Sequence, residues 1–280
     1  MPHRSNLGRG LSRMGFLQRL DRAWEANGSN LCVGLDPDPA KMPERFATRR
    51  NGIAEFCIEI VNATADLVCA FKPQIAYFAA QRAEDQLETI CTYIRENHPD
   101  AVLILDAKRG DIGSTAANYA VEAFNRFGAD AVTVNPYLGT DSVEPFFAAG
   151  GGVIGLCRTS NPGGDDLQML DTGGSPLFVR VAEMISQRWA QLGDCGLVVG
   201  ATYPNELAQV RSIVGDLPIL VPGVGAQGGS ADEVKSNGSR PDGHGIIVNS
   251  SRAVLYASSG DDFASAARTV AEETRRSCSP

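Results

Sequence analysis

The chain has 280 residues, 43% of them hydrophobic and 21% charged, with a formal net charge of −8. This is ordinary globular composition with length enough for a large core. The acidic balance speaks against a broad nucleic-acid-binding face while leaving room for a local basic pocket. No apolar run approaches the roughly 20 residues that cross a bilayer.

The first 13 residues carry Arg4, Arg9 and Arg13 with no hydrophobic segment behind them. They read as a loose tail over 1–14 rather than a secretory signal, with Met14 as an alternative start. Gly15 to Glu25 has Phe16, Leu17, Leu20 and Trp24 on one helical face. Leu31 to Leu35 is a buried-type strand that gives way to Asp36-Pro-Asp-Pro, because two prolines end a strand. Asp36 at that boundary suits a binding role, and equally a turn or a helix cap. Asn51 to Val68 has helical spacing. Cys69 to Phe71 leads into Lys72-Pro73, and Phe78 to Asn97 reads as one helix closed by His98-Pro99.

Ala101 to Leu105 is a short apolar run, ending at DAKRGDIGST, residues 106–115. Alternation along a strand places Asp106 and Lys108 on one side and turns Arg109 elsewhere. Gly110 frees the backbone to turn, and Asp111 brings a second carboxylate to the same neighbourhood. Close charges of alternating sign hold a lysine protonated and aimed, although a purely structural strand end has the same composition.

Gly113 to Phe127 is helical, with Gly128 as its C-cap. Ala131 to Val134 is a strand, Asp141 to Ala149 a short helix and Gly152 to Cys157 a fifth strand. Residues 159–174 are glycine-rich, polar and longer than most βα loops, a composition shared by mobile lids and by surface insertions. Pro176 to Leu192 is a helix, Cys195 to Val199 a strand, Pro204 to Val214 a helix, and Pro218 to Val221 a strand running into PGVGAQGG. Gly245 to Val248 is the eighth strand, ending in Asn-Ser-Ser251-Arg252, and Asp261 to Arg276 is the closing helix.

Eight apolar runs, each followed by helical spacing, imply parallel strands buried on both faces. The fold class is α/β, a (β/α)8 TIM barrel in a single domain over 15–280, with a doubly wound open sheet as the alternative. The seven cysteines are odd in number, contain no CxxC and lie largely in apolar runs. The three histidines are scattered. These features favour a reducing, cytoplasmic setting without disulfides, and no metal site.

In a barrel the polar strand ends share one face: Asp36, Lys72, Asp106, Lys108, Ser160, Gln227 and Arg252. Small residues after the seventh strand and a helix start after the eighth offer backbone N–H groups to an anion, and Arg252 adds a forked donor. Together they point to a phosphorylated substrate.

D-A-K-R-G-D-I-G-S-T-A at Asp106–Ala116 resembles the signature of the orotidine 5'-phosphate decarboxylases. GLDPDP at 34–39, FKPQ at 71–74, TSNPG at 159–163, VPGVGAQGG at 221–229 and IIVNSSRA at 246–253 recur in the same order. The resemblance covers nearly the whole chain from about residue 15, and its TSNPG, NSSRA and long-loop forms are similar to the type 2, mainly bacterial, branch. It implies a (β/α)8 homodimer that converts orotidine 5'-phosphate to UMP and CO2 without metal or organic cofactor, the last step of UMP biosynthesis. It implies that Lys108 protonates C6, within a network of Lys72, Asp106, Lys108 and Asp111. Asp111, Ile112 and Thr115 would then reach into the partner's site. Asp36 and Lys72 would contact the ribose, Ser160 the pyrimidine amide and Pro222 its pocket wall. Gln227, Ser251 and Arg252 would hold the phosphate. Three other readings carry different tests. A related barrel with the same D-x-K-x-x-D spacing would need Mg²⁺. A Schiff-base aldolase using Lys108 or Lys72 would be trapped by borohydride. A silent nucleotide-binding barrel would bind UMP without turnover.

Overall fold

The computed structural model describes residues 14–224 and 228–280. Eight parallel strands close on one another in sequence order. They are β1 Leu31–Leu35, β2 Ala70–Pro73, β3 Val102–Arg109, β4 Ala131–Val134, β5 Gly152–Arg158, β6 Cys195–Val199, β7 Ile219–Pro222 and β8 Ile246–Ser250. The ring shuts where β1 meets β8, with Leu31 opposite Val248 and Cys32 opposite Asn249. This is the (β/α)8 barrel that the strand rhythm predicts; the open-sheet alternative is excluded by that last pairing. Of the expected tail over 1–14, residues 1–13 lie outside the described residues.

Around the barrel run α1 Phe16–Asn27, α2 Glu44–Ala47, α3 Gly52–Thr64, α4 Ile75–Ala79, α5 Glu84–Asn97, α6 Gly113–Ala120, α7 Glu144–Ala148 and α8 Asp165–Gln168. Then follow α9 Leu177–Gln187, α10 Pro204–Val214, α11 Ala231–Gly238, α12 Arg252–Leu255 and α13 Phe263–Cys278. A π-helical turn over Val121–Arg126 extends α6, and Gly128 ends it in the left-handed conformation at φ +60°, as its C-cap role requires. The helix expected over 78–97 is instead two, α4 and α5. Arg82 between them has φ +54°, which no α-helix accommodates.

Strand side chains alternate between two apolar layers. Ala70, Val102, Ile104, Ala131, Ile154, Val198, Leu220 and Ile247 fill the barrel, in one cluster with Phe16, Leu20, Ala23 and Trp24 of α1. Helix α1 thus plugs the end of the barrel that these lower residues face. The other parity, such as Leu103, Leu105, Val132 and Val134, packs outward on the surrounding helices. Asp130 tethers the plug: it pairs with Arg19 at 3.1 Å and accepts the Leu103 N–H at 2.9 Å. With one end plugged by α1, the open end is the C-terminal rim, where the polar strand ends lie.

Candidate active site

Continuing the inward parity toward the C-terminal rim, the apolar filling gives way to a layer of different character. Gly34, Lys72, Asp106, Thr133 and Asn249 follow Cys32, Ala70, Ile104, Ala131 and Ile247 by two residues each. At the centre stands Asp106. Its Oδ2 accepts from Lys72 Nζ at 2.7 Å, its Oδ1 from Lys108 Nζ at 2.7 Å and from the Thr133 hydroxyl at 2.8 Å. The two lysines differ in access: the Lys72 side chain is 5% exposed and the Lys108 side chain 47%. Lys72 is the inner counter-ion, and Lys108 the more exposed one.

The electrostatics follow from this arrangement. Burial alone works against an ammonium at Lys72, but the carboxylates of Asp106 and Asp36 outweigh it and hold its pKa above the ordinary lysine value. Burial works against ionised Asp106 in the same way, and Lys72 and Lys108 together push it well below the usual carboxylate range. Both groups are therefore charged throughout the neutral range.

The lysine is aimed by an irregular backbone. Leu105 pairs with Val132 and Arg109 with Val134, so three residues of β3 face the single residue Thr133 of β4. Lys108 sits in this bulge at φ +48°, a left-handed conformation that is strained for a long side chain. The simple i, i+2 alternation thus finds the right pair for an incomplete reason. Positive φ occurs at Lys108 and at Gly113 rather than at Gly110, where the turn is expected. Arg109 does turn away, pairing with Glu122 at 2.7 Å over the ring of Tyr119.

Beside Asp106 opens a cavity of about 170 Å³, lined by Asp36, Lys72, Asp106, Pro222, Ser251 and Arg252 with Asn249. Among the described residues Asp36 Oδ1 is buried there without a hydrogen-bond partner, an acceptor free to meet a ligand donor. The Tyr256 hydroxyl fixes that loop, donating to the Asp36 carbonyl at 2.8 Å and accepting the Asp38 N–H at 2.7 Å. Gly34 is required by closeness: a Cβ there would lie 1.9 Å from Ser251 Oγ. Ser251 Oγ also accepts from Asn249 Nδ2 at 3.1 Å. Among the described residues the Arg252 guanidinium, on the first residue of α12, forms no salt bridge.

Other expected site residues lie apart. Ser160 stands on the rim against Gly200, where a Cβ would come within 2.8 Å of its own. In the loop behind it Arg158 pairs with Asp165 at 2.6 Å, and Gln168 Oε1 accepts the Thr159 N–H at 2.9 Å. Asp111 does not join the charged array within one chain. Its carboxylate accepts the N–H of Ile112 at 2.8 Å, because the bulge and the following turn carry it outward. Ile112 is 59% exposed and Thr115 is exposed too. Gln227 lies outside the described residues. Thr133 and Asn249 were missed as functional candidates, though Asn249 lies within NSSR and inward parity from Ala131 and Ile247 reaches both.

The same set of motifs links the chain to known proteins. A model of the orotidine 5'-phosphate decarboxylase / HUMPS family matches residues 29–269. The orotidine 5'-phosphate decarboxylase of Dechloromonas aromatica is 62% identical over 94% of this chain and 97% of its own length. That of Cupriavidus metallidurans is 60% identical, with the same shares covered. The solved structure of Leishmania donovani OMP decarboxylase is 36% identical with a TM-score of 0.80, covering 95% of this chain and 99% of that one. With a family match over most of its length, near-full-length relatives at this identity, and a barrel whose strand ends gather the motif residues, this chain belongs to the orotidine 5'-phosphate decarboxylase / HUMPS family.

Proposed function

We infer that this chain decarboxylates orotidine 5'-phosphate, yielding UMP and CO2, with Lys108 delivering the proton to C6 of the pyrimidine. The observation that carries the reading is the Lys108 ammonium, half exposed and held at 2.7 Å by the cavity-lining carboxylate of Asp106, which buried Lys72 keeps ionised. Loss of CO2 leaves a pair of electrons on C6 with no conjugated sink, so the charge must be met electrostatically. A fixed ammonium supplies that, and its proton then fills the position CO2 left. Both Asp106 oxygens face ammonium groups, an arrangement suited to a counter-ion rather than to a metal ligand.

The remaining roles are those that the resemblance implies. Asp36, with its unpartnered Oδ1, accepts a ribose hydroxyl beside Lys72. Ser251 and Arg252, with Gln227, take the phosphate, and Pro222 walls the pyrimidine, whose amide meets Ser160. Binding the phosphate far from C6 supplies orientation that the reacting carbon itself cannot.

The enzyme acts as a homodimer in which Asp111, Ile112 and Thr115 enter the partner's site. Exposed apolar side chains on the loops after β3 and β4 support this, with Ile112 at 59%, Tyr137 at 77% and Leu138 at 46%. Mixing Lys108→Ala with Asp111→Ala should restore activity through hybrid dimers; no recovery on mixing counts against shared sites. The setting is the cytoplasm, in keeping with seven buried, unpaired cysteines, and no helix among the described residues is long and apolar enough to cross a membrane.

The decisive assay follows the absorbance loss of orotidine 5'-phosphate with EDTA present. Wild type should remain active, and Lys108→Ala should lose about 10³-fold or more in kcat. An unimpaired Lys108→Ala enzyme overturns the role of Lys108, and loss of wild-type activity in EDTA favours the Mg²⁺-dependent alternative.

A further inference from the structure

We propose that Thr133 is a positioning residue for this reaction: its hydroxyl holds the β3 bulge in the conformation that aims Lys108 at C6. The proposal rests on the reading of Lys108 as proton donor. Three residues of β3, from Asp106 to Lys108, face only Thr133 on β4, so the regular ladder cannot serve every backbone group in the bulge. Thr133 Oγ1 takes over that work. It accepts the N–H groups of Ala107 and Lys108, both at 3.0 Å, and donates its own proton to Asp106 Oδ1 at 2.8 Å.

One hydroxyl thus spends two lone pairs and one proton on three consecutive residues of β3. Two of those contacts fall on the backbone of Lys108 and its predecessor, where φ +48° would otherwise be unfavourable. The third fixes the carboxylate to which the Lys108 ammonium is bound. Thr133 is 1% exposed and does not line the cavity, so it acts through its neighbours rather than by touching substrate. The β-branched side chain matters as well, because branching restricts χ1 and holds the hydroxyl on the bulge. Serine retains the three hydrogen bonds without the methyl, whereas valine retains the shape without any of them.

The test compares Thr133→Val and Thr133→Ser with wild type and Lys108→Ala, measuring kcat and KM for orotidine 5'-phosphate and the dissociation constant of UMP. Thr133→Val should lose about 10²-fold in kcat, the scale expected when a reacting group is misplaced by about an ångström. KM and UMP affinity should stay within about threefold, and Thr133→Ser should recover kcat to within about tenfold of wild type. A merely structural role predicts another pattern, in which UMP affinity falls along with kcat and serine is as impaired as valine; that result overturns the proposal. A fully active Thr133→Val beside an inactive Lys108→Ala overturns it while leaving the Lys108 assignment standing. An active Lys108→Ala overturns both. Should Thr133→Val fail to fold, Thr133→Ala provides the same split between kcat and UMP binding.

Discussion

Replacing Asp106 by asparagine keeps the shape of the central side chain and removes its charge. The consequence can be sized from exposure. The Lys72 side chain is 5% exposed, so its ammonium would remain buried with its nearest counter-ion gone. Breaking a buried pair from one side costs about 3–5 kcal/mol. The Lys108 ammonium is 47% exposed and solvent screens it, so it adds little to that figure. At about 2–4 °C per kcal/mol for a chain of this size, Tm should fall by roughly 6–20 °C. The dependence on pH should change as well. In wild type the Lys72 pKa is raised, so its contribution is complete below the ordinary lysine value and is lost only as pH rises through the higher folded value. That of Asp106 is lowered, so its contribution is complete above the ordinary carboxylate value and is lost as pH falls through the lower folded value. Neither slope falls between pH 6 and 9. In Asp106→Asn, burial is the largest influence left on Lys72 and depresses its pKa. At Lys72 the unfolded chain then binds more protons, so relative to wild type stability should rise with pH across this range. Thermal denaturation at pH 6, 7.5 and 9 reads both effects. An Asp106→Asn protein with wild-type Tm and the wild-type dependence on pH would refute the argument that the carboxylate holds Lys72 charged.

Arg252→Ala should weaken UMP binding by about 10- to 100-fold in calorimetric titration, the worth of a charge-assisted hydrogen bond to phosphate, and leave binding of the unphosphorylated nucleoside unchanged. Leu20→Ala, in a side chain of 0% exposure within the barrel plug, should lower stability by about 2–5 kcal/mol in denaturant unfolding. Its kcat at 25 °C should match wild type, because the plug seals the opposite end of the barrel from the charged layer.

The architecture was legible because its signal is coarse and repeated. Eight apolar runs with polar ends and intervening helical spacing require parallel pairing whatever the detail of each strand. The break at Arg82 was illegible for the opposite reason: one residue with positive φ divides apolar spacing that reads smoothly as a single helix. Likewise the short helices α2 and α11 are too brief to establish a period of 3.6.

Within the candidate site, chain chemistry alone determined which residues gather at the rim: Lys72, Asp106 and Lys108 end their strands, and DAKRGD places a carboxylate and an ammonium within reach of each other. Tertiary structure decided what each of them does. It distinguishes an inner lysine from an outer one, turns Asp111 away from the array and brings Thr133 in from the neighbouring strand. The reason is that strands buried on both sides are apolar along most of their length, so that part of the sequence carries no mark of which parity faces inward. That mark appears only when Ala131 and Ile104 are seen filling the barrel, and the residue two steps beyond each becomes a member of the charged layer.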